Sequence, residues 1–204
     1  MPPSRREWLK AGVGAVLGAG AGLAVRRRAR NPDGNERIRP PGARSGEAFL
    51  AACIRCGQCV LACPSATLRL ATLADGWASS MPFAADLRRR PCTLCREQAA
   101  LRCIAVCPTD ALQPVADLLA IRMGTARIDP ATCWAFNRIV CRTCWHACPW
   151  PDRALRLDSR LQPVIDAAVC IGCGLCAQAC PTEPGSITIE PPANPTAPGA
   201  AASA

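Results

Sequence analysis

Five short runs of this chain read as strands, four of them through apolar and polar side chains in alternation. They are Thr67-Leu68-Arg69-Leu70, Arg127-Ile128-Asp129, Ala154-Leu155-Arg156-Leu157, Pro163-Val164-Ile165-Asp166 and Ser186-Ile187-Thr188-Ile189. A period of two puts alternate side chains on one face, so each run predicts a short strand buried on one side. Three of the runs follow a Cys-Pro pair and two precede a group of cysteines. That placement predicts small hairpins packed over whatever the cysteines hold. The 20 Pro and 15 Gly interrupt any long helical period, which excludes a coiled coil. The uncharged stretch from Ala11 to Val25 is shorter than the roughly 20 residues a membrane-spanning helix needs.

That stretch has a different use. Ser4-Arg5-Arg6-Glu7-Trp8-Leu9-Lys10 precedes it, giving a charged region and then a weakly hydrophobic one. The Arg5-Arg6 pair, with Trp8 and Leu9 behind it, resembles a twin-arginine export signal, which a receptor reads as an address. Residues 1–30 are therefore expected to be a signal, cleaved or retained as an N-terminal tether. Residues 31–46 (Asn-Pro-Asp-Gly, then Arg-Pro-Pro-Gly) read as a linker, and residues 191–204 as a disordered tail of small residues and Pro.

Charge follows the same division. The first 30 residues hold seven basic residues against Glu7, a net of +6, while the whole chain carries +9. The rest is thus only weakly basic and lacks the concentrated basic face that nucleic acid requires. No nucleic-acid partner is expected.

The interior needs an unusual filling. The 204 residues include five Trp, three Phe and no Tyr, but 16 Cys. The cysteines form four groups of four. The first is Cys53, Cys56, Cys59 and Cys63; the second is Cys92, Cys95, Cys103 and Cys107. The third is Cys133, Cys141, Cys144 and Cys148; the fourth is Cys170, Cys173, Cys176 and Cys180. Each ends in Cys-Pro: Pro64, Pro108, Pro149 and Pro181. The first and fourth groups have the run Cys-x2-Cys-x2-Cys-x3-Cys-Pro, in which three cysteines hold one [4Fe–4S] cluster and the fourth holds its neighbour. Gly57, Gly172 and Gly174 lie where the backbone must pass close to such a cluster.

Other uses of the cysteines fit less well. Eight disulfides would explain neither the recurring spacing nor the four prolines. Zinc knuckles give no role to the third cysteine or to the Cys-Pro. No Cys-x-x-Cys precedes a His, which excludes c-type haem attachment. His146, the only histidine, is expected to be a solvent-side or packing residue rather than a ligand. No nucleophile set or phosphate loop is visible, so the chain reads as an electron carrier and not an enzyme. Residues 31–204 carry a net of +3. Four clusters, each contributing about −2 with its thiolates, would leave a holoprotein without the first 30 residues net acidic, at about −5.

The expected fold is α+β, with two ferredoxin-like bis-[4Fe–4S] units whose hairpins and short helices pack over the clusters. Matching groups of like spacing gives a nested arrangement. The three leading cysteines of group one take Cys180, and those of group four take Cys63. Those of group two take Cys148, and those of group three take Cys107. The outer unit would then join residues 47–70 to 160–190, and the inner unit would span 88–157. Sequential pairing is the alternative.

The four-group layout resembles the four-cluster subunits of molybdenum oxidoreductases, which use nested pairing. More narrowly, Arg122-Met123-Gly124-Thr125-Ala126-Arg127-Ile128-Asp129-Pro130, Cys133-Trp134 and the following Cys141, Cys144, Cys148 and Pro149 resemble the NapG/MauM ferredoxin-type family. The resemblance runs from Arg5 to about Glu190. It implies a periplasmic protein, exported through the twin-arginine receptor. Such a protein takes electrons from a membrane quinol-oxidising iron–sulfur partner and passes them to a c-type cytochrome or terminal reductase, in nitrate reduction or methylamine utilisation. The alternatives are an electron-transfer subunit of a molybdenum oxidoreductase complex and a maturation factor.

Overall fold

The structure, a computed structural model, describes residues 37–72, 75 and 81–192. The expected export signal with Arg5 and Arg6, the start of the linker, and residues 193–204 of the expected tail lie outside the described residues. Residues 36–70 and 81–204 cluster as one compact unit, and residues 1–35 with 71–80 as another. In the latter, the Thr72 backbone N–H and hydroxyl both donate to Asp75 Oδ2 at 2.8 Å. All the strands and helices below belong to the former.

In chain order the elements are α1 (Gly46–Ala52), α2 (Gln58–Leu61), β1 (Leu68–Leu70), β2 (Pro82–Ala84) and α3 (Arg102–Ala105). A 3-10 turn at Leu118–Ala120 is followed by β3 (Thr125–Ile128), α4 (Thr143–Ala147), β4 (Leu155–Leu157), β5 (Pro163–Ile165), α5 (Leu175–Ala179) and β6 (Ile187–Glu190). The fold is small α+β, as expected. The five runs became β1, β3, β4, β5 and β6. The strand β2 carries no alternation, and its Pro82 hides it, since Pro is confined to strand ends and edges.

The helices α2 to α5 are one turn long, and each places the third cysteine of a group inward: Cys59, Cys103, Cys144 and Cys176. The fourth cysteine follows four residues later. Continued helix would return it to the same face. The proline behind it disfavours helical backbone in the residue before. Cys148 and Cys180 accordingly adopt extended dihedrals, at ψ 132° and 120°. The fourth side chain is thereby thrown away from its own group.

Where it lands is set by the hairpins. Antiparallel β1 and β2 pair Leu68 with Ala84 and Leu70 with Pro82, and they connect group one to group two. Antiparallel β4 and β5 pair Leu155 with Ile165 and Leu157 with Pro163, and they connect group three to group four. The outer segments then close each half. In the second half β3 pairs with β6, from Thr125 opposite Glu190 to Ile128 opposite Ile187. In the first half Ala43 bridges Leu112, flanked by hydrogen bonds from Arg44 N to Ala111 O (3.1 Å) and Gln113 N to Gly42 O (2.8 Å).

Two expectations are corrected here. Groups adjacent in sequence share a half, so the nested division into residues 47–70 with 160–190 and 88–157 does not describe the structure. A short hairpin returns the chain beside its starting point at little loop-closure cost, and consecutive elements pair accordingly. Residues 37–46, expected as linker, are packed in place. Pro40 and Pro41 are buried, Ile38 O accepts from Ala84 N at 2.9 Å, and the Arg37 and Arg69 guanidiniums lie 4.7 and 4.5 Å from the Phe83 ring centroid.

The core mixes small apolar side chains with thiols. Phe49, Ile121, Met123, Leu155 and Ile171 are fully buried, and Cys59, Cys92, Cys103 and Cys173 pack in the larger cluster. The halves meet through backbone. Met123 N donates to Ile171 O at 3.1 Å, and Cys92 N donates to Cys173 O at 2.8 Å. Gly172, at φ +74°, lies so close to Gly124 that a Cβ would sit 2.5–2.6 Å from Gly124 backbone atoms. Gly172→Ala is expected to cost about 1–3 kcal/mol from strain and overpacking and to lower iron content. Gly46→Ala, also at positive φ but facing open space, is the control for strain alone. Thermal unfolding and iron assay of the two variants check this, with the larger loss expected at Gly172.

Candidate metal centres

Cys53, Cys56 and Cys59 line one pocket together with Cys107, under an apolar wall that includes Phe49, Pro82 and Leu112. Cys92, Cys95 and Cys103 line another with Cys63, Leu68 and Met123. Cys170, Cys173 and Cys176 line a third with Cys148, beside Leu155 and Ile165. Each is three leading cysteines of one group plus the fourth of its sequence neighbour. The nested sets expected from spacing are therefore not the ones brought together. Cys107 joins group one where Cys180 was expected, Cys63 joins group two where Cys148 was, and Cys148 joins group four where Cys63 was.

Cys133, Cys141 and Cys144 form the remaining trio. Cys133 and Cys144 are buried, and Cys141 sits beside the exposed stretch Arg138-Ile139-Val140. A chain of contacts leads from this trio to Cys180. Cys133 N donates to Asp129 O at 3.1 Å, and Asp129 N donates to Ser186 O at 2.8 Å. The Ser186 hydroxyl lies 2.7 Å from that of Thr182, which lies 3.1 Å from Cys180 Sγ. Helices α4 and α5 pack together beneath.

Burial without a partner is costly for a thiolate. It pushes the Cys92 and Cys103 thiols up to about 12 and those of Cys59, Cys144 and Cys173 up to about 11, with repulsion from neighbouring thiolates adding to it. Cys176 is pushed well above the ordinary range, and Cys148 is raised. Two of the fourth cysteines go the other way. Burial raises Cys63, but the Leu68 and Thr67 backbone N–H groups and the Ser65 and Thr67 hydroxyls outweigh it and lower the net value. Thr182 and Ser186 do the same for Cys180.

These hydroxyls were missed in the sequence, although their signal is present. Ser65, Thr109 and Thr182 each follow a Cys-Pro and approach its sulfur at 3.8, 3.7 and 3.1 Å. After Cys148 that place is taken by Trp150. His146 is exposed and lies edge-on to Trp145, with ring centroids 4.9 Å apart.

The donor chemistry suits a polynuclear cluster. A mononuclear zinc site needs four sulfurs about 2.3 Å from one point. Among the described residues no three Cys, His, Asp or Glu side chains converge that way. The thiols instead stand around the walls of apolar cavities, where each can meet a different iron. A metal group would supply the positive charge that the buried thiolates lack. Because thiols raised to 11–12 are protonated at neutral pH, binding must expel their protons. Anaerobic reconstitution at fixed iron and sulfide is therefore expected to be more complete at pH 8.5 than at pH 7. Iron uptake independent of pH would contradict this account.

The comparisons agree with this chemistry. Residues 52–111 match the family model of a 4Fe-4S dicluster domain, which spans groups one and two together, and residues 163–184 match a 4Fe-4S binding domain. The chain is 35% identical to the ferredoxin-type protein NapG of Escherichia coli (strain K12), across 92% of this chain and 85% of that protein. It is 34% identical to the methylamine utilization ferredoxin-type protein MauM of Methylorubrum extorquens, across 93% and 90%. It is 30% identical to the ferredoxin-type protein NapF of Escherichia coli, across 75% and 84%. With its iron-binding cysteine pattern and this extent of similarity, the chain belongs to the NapG/MauM family of ferredoxin-type proteins.

Proposed function

We propose that this iron–sulfur electron-transfer protein carries four [4Fe–4S] clusters, two in each half, and relays electrons in the periplasm. The observation that carries the reading is the sorting of twelve thiols into three sets of four around apolar pockets. These are Cys53, Cys56, Cys59 and Cys107; Cys92, Cys95, Cys103 and Cys63; and Cys170, Cys173, Cys176 and Cys148. The remaining four, Cys133, Cys141, Cys144 and Cys180, complete the series in this reading. The clusters supply one-electron redox chemistry. The protein's residues do the rest. The thiols fix each cluster's position, the apolar walls exclude water, and the hydroxyls of Ser65 and Thr182 support sulfur in its charged state. The donor in this reading is a membrane quinol-oxidising iron–sulfur protein, and the acceptor a c-type cytochrome or terminal reductase. Membership of a family that includes a methylamine utilization protein supports such a chain of redox partners. Catalysis falls to a partner.

Anaerobically prepared protein should contain about 16 iron atoms per chain. Stoichiometric zinc, or oxidised disulfides with no visible absorption, would overturn the reading. The pairing is tested by ligand variants: Cys107→Ser should alter the same single EPR signal as Cys56→Ser, and Cys180→Ser the same signal as Cys141→Ser. Coincidence of Cys180→Ser with Cys56→Ser would restore the nested sets.

The export route rests on Arg5-Arg6, Trp8 and Leu9. Replacing both arginines by lysine removes the planar guanidinium pair, so cluster-loaded protein should accumulate in the cytoplasm. Fractionation and immunoblotting measure this, and unimpaired export of the double variant would remove the twin-arginine reading.

A further inference from the structure

The two halves meet at cysteines. Cys92, of group two, donates its backbone N–H to the carbonyl of Cys173, of group four, at 2.8 Å. Cys92 and Cys173 are 9% and 8% exposed, so the junction is dry. Its backbones approach unusually closely. Gly174, at φ +85°, lies where a Cβ would be 2.6 Å from Leu87 Cβ and 2.7 Å from Leu87 O. Arg88 then ties the same segment down, donating to Thr182 O at 2.8 Å and pairing with Glu183 at 2.7 Å.

Group four is the one that spans both apolar cores: Cys173 packs with Cys92 and Cys103 in one, and Cys176 packs with Cys144 in the other. Groups one and three also reach the surface, through exposed Cys56 and through Cys141 beside the exposed stretch 137–140.

We infer that the four cysteine sets form one unbranched series, in the order group one, group two, group four, group three, with electrons crossing between the halves at the Cys92–Cys173 contact. Chain order is not electron order: the third group in sequence is the end of the series. The inference rests on the iron–sulfur reading above. The crossing is a one-electron step. The reduced cluster on one side is oxidised as its neighbour is reduced, and no bond is made or broken. The quinol-oxidising donor and the cytochrome or reductase acceptor therefore meet opposite ends, the group-one set and the group-three set.

Low-temperature EPR of the dithionite-reduced holoprotein tests this through the magnetic interaction between neighbouring clusters. Cys173→Ser and Cys141→Ser first assign the group-four and group-three signals. The variant with both Cys95→Ala and Cys103→Ala then removes the group-two cluster. Its expected result is about 12 iron atoms, a severalfold drop in the microwave power that half-saturates the group-four signal, and an unchanged group-three signal. A change in the group-three signal without one in group four, or no change in either, overturns the order.

If that variant loads no clusters, pulsed dipolar measurements on partially reduced wild-type holoprotein give the separations directly. The shortest separation between halves should be that of the group-two and group-four clusters, and any other pair being shortest overturns the inference. A protein with no cubane signal would instead defeat the iron–sulfur reading itself. Sixteen iron atoms with a different pattern of coupling would defeat only the order.

Discussion

Everything in this structure depends on how sixteen thiols can be crowded into a chain with few large apolar side chains. A thiolate taken out of water loses its hydration, and beside other thiolates it is repelled as well. The protein's own groups relieve only some of this, by the hydroxyls and backbone N–H groups around Cys63 and Cys180. Deeper thiols such as Cys92 and Cys103 lie against apolar walls, where the backbone N–H groups of Leu94 and Ile104 do not outweigh burial. The missing positive charge has to come from bound metal. Metal binding is then part of folding, and the clusters are the cross-links of a core that Phe and Tyr do not build.

A second constraint acts through proline. The one-turn helices α2 to α5 hold the third cysteine of each group, and the following Cys-Pro stops the helix just before the fourth cysteine would return to the same face. That local event makes the motifs depend on one another, since Cys63, Cys107 and Cys148 each line the pocket of a neighbouring group. The hairpins β1–β2 and β4–β5 then select the partner by bringing each group back beside the next. Electron transfer benefits from the same exchange of ligands, since chain running from a third to a fourth cysteine links two cavities directly, as from Cys59 to Cys63.

Glycine at the junction between the halves has a related role. Gly172 and Gly174 sit at positive φ and leave no space for a Cβ, against Gly124 and Leu87 respectively. Without them the backbone of group four could not approach group two closely enough for Cys92 and Cys173 to share a hydrogen bond. The halves are thus joined by main chain as well as by side chains such as Ile171 and Cys173, which pack in one core cluster with Phe49 and Leu87.

The sequence by itself determined the local parts. Five strands were legible because apolar patterning needs only neighbouring residues, and the metal chemistry was legible because Cys spacing and Cys-Pro act within one turn. Tertiary structure alone decided which groups pair. The seven-residue gaps from Cys95 to Cys103 and from Cys133 to Cys141 suggested kinship between groups two and three, but likeness of spacing does not bring two segments together; hairpin closure does. The packing of residues 37–46 and the strand β2 also escaped, because Pro40, Pro41 and Pro82 carry loop signals that long-range partners override. The contact of Cys92 with Cys173 lies furthest from the sequence, for it depends on the docking of two halves that no local pattern encodes.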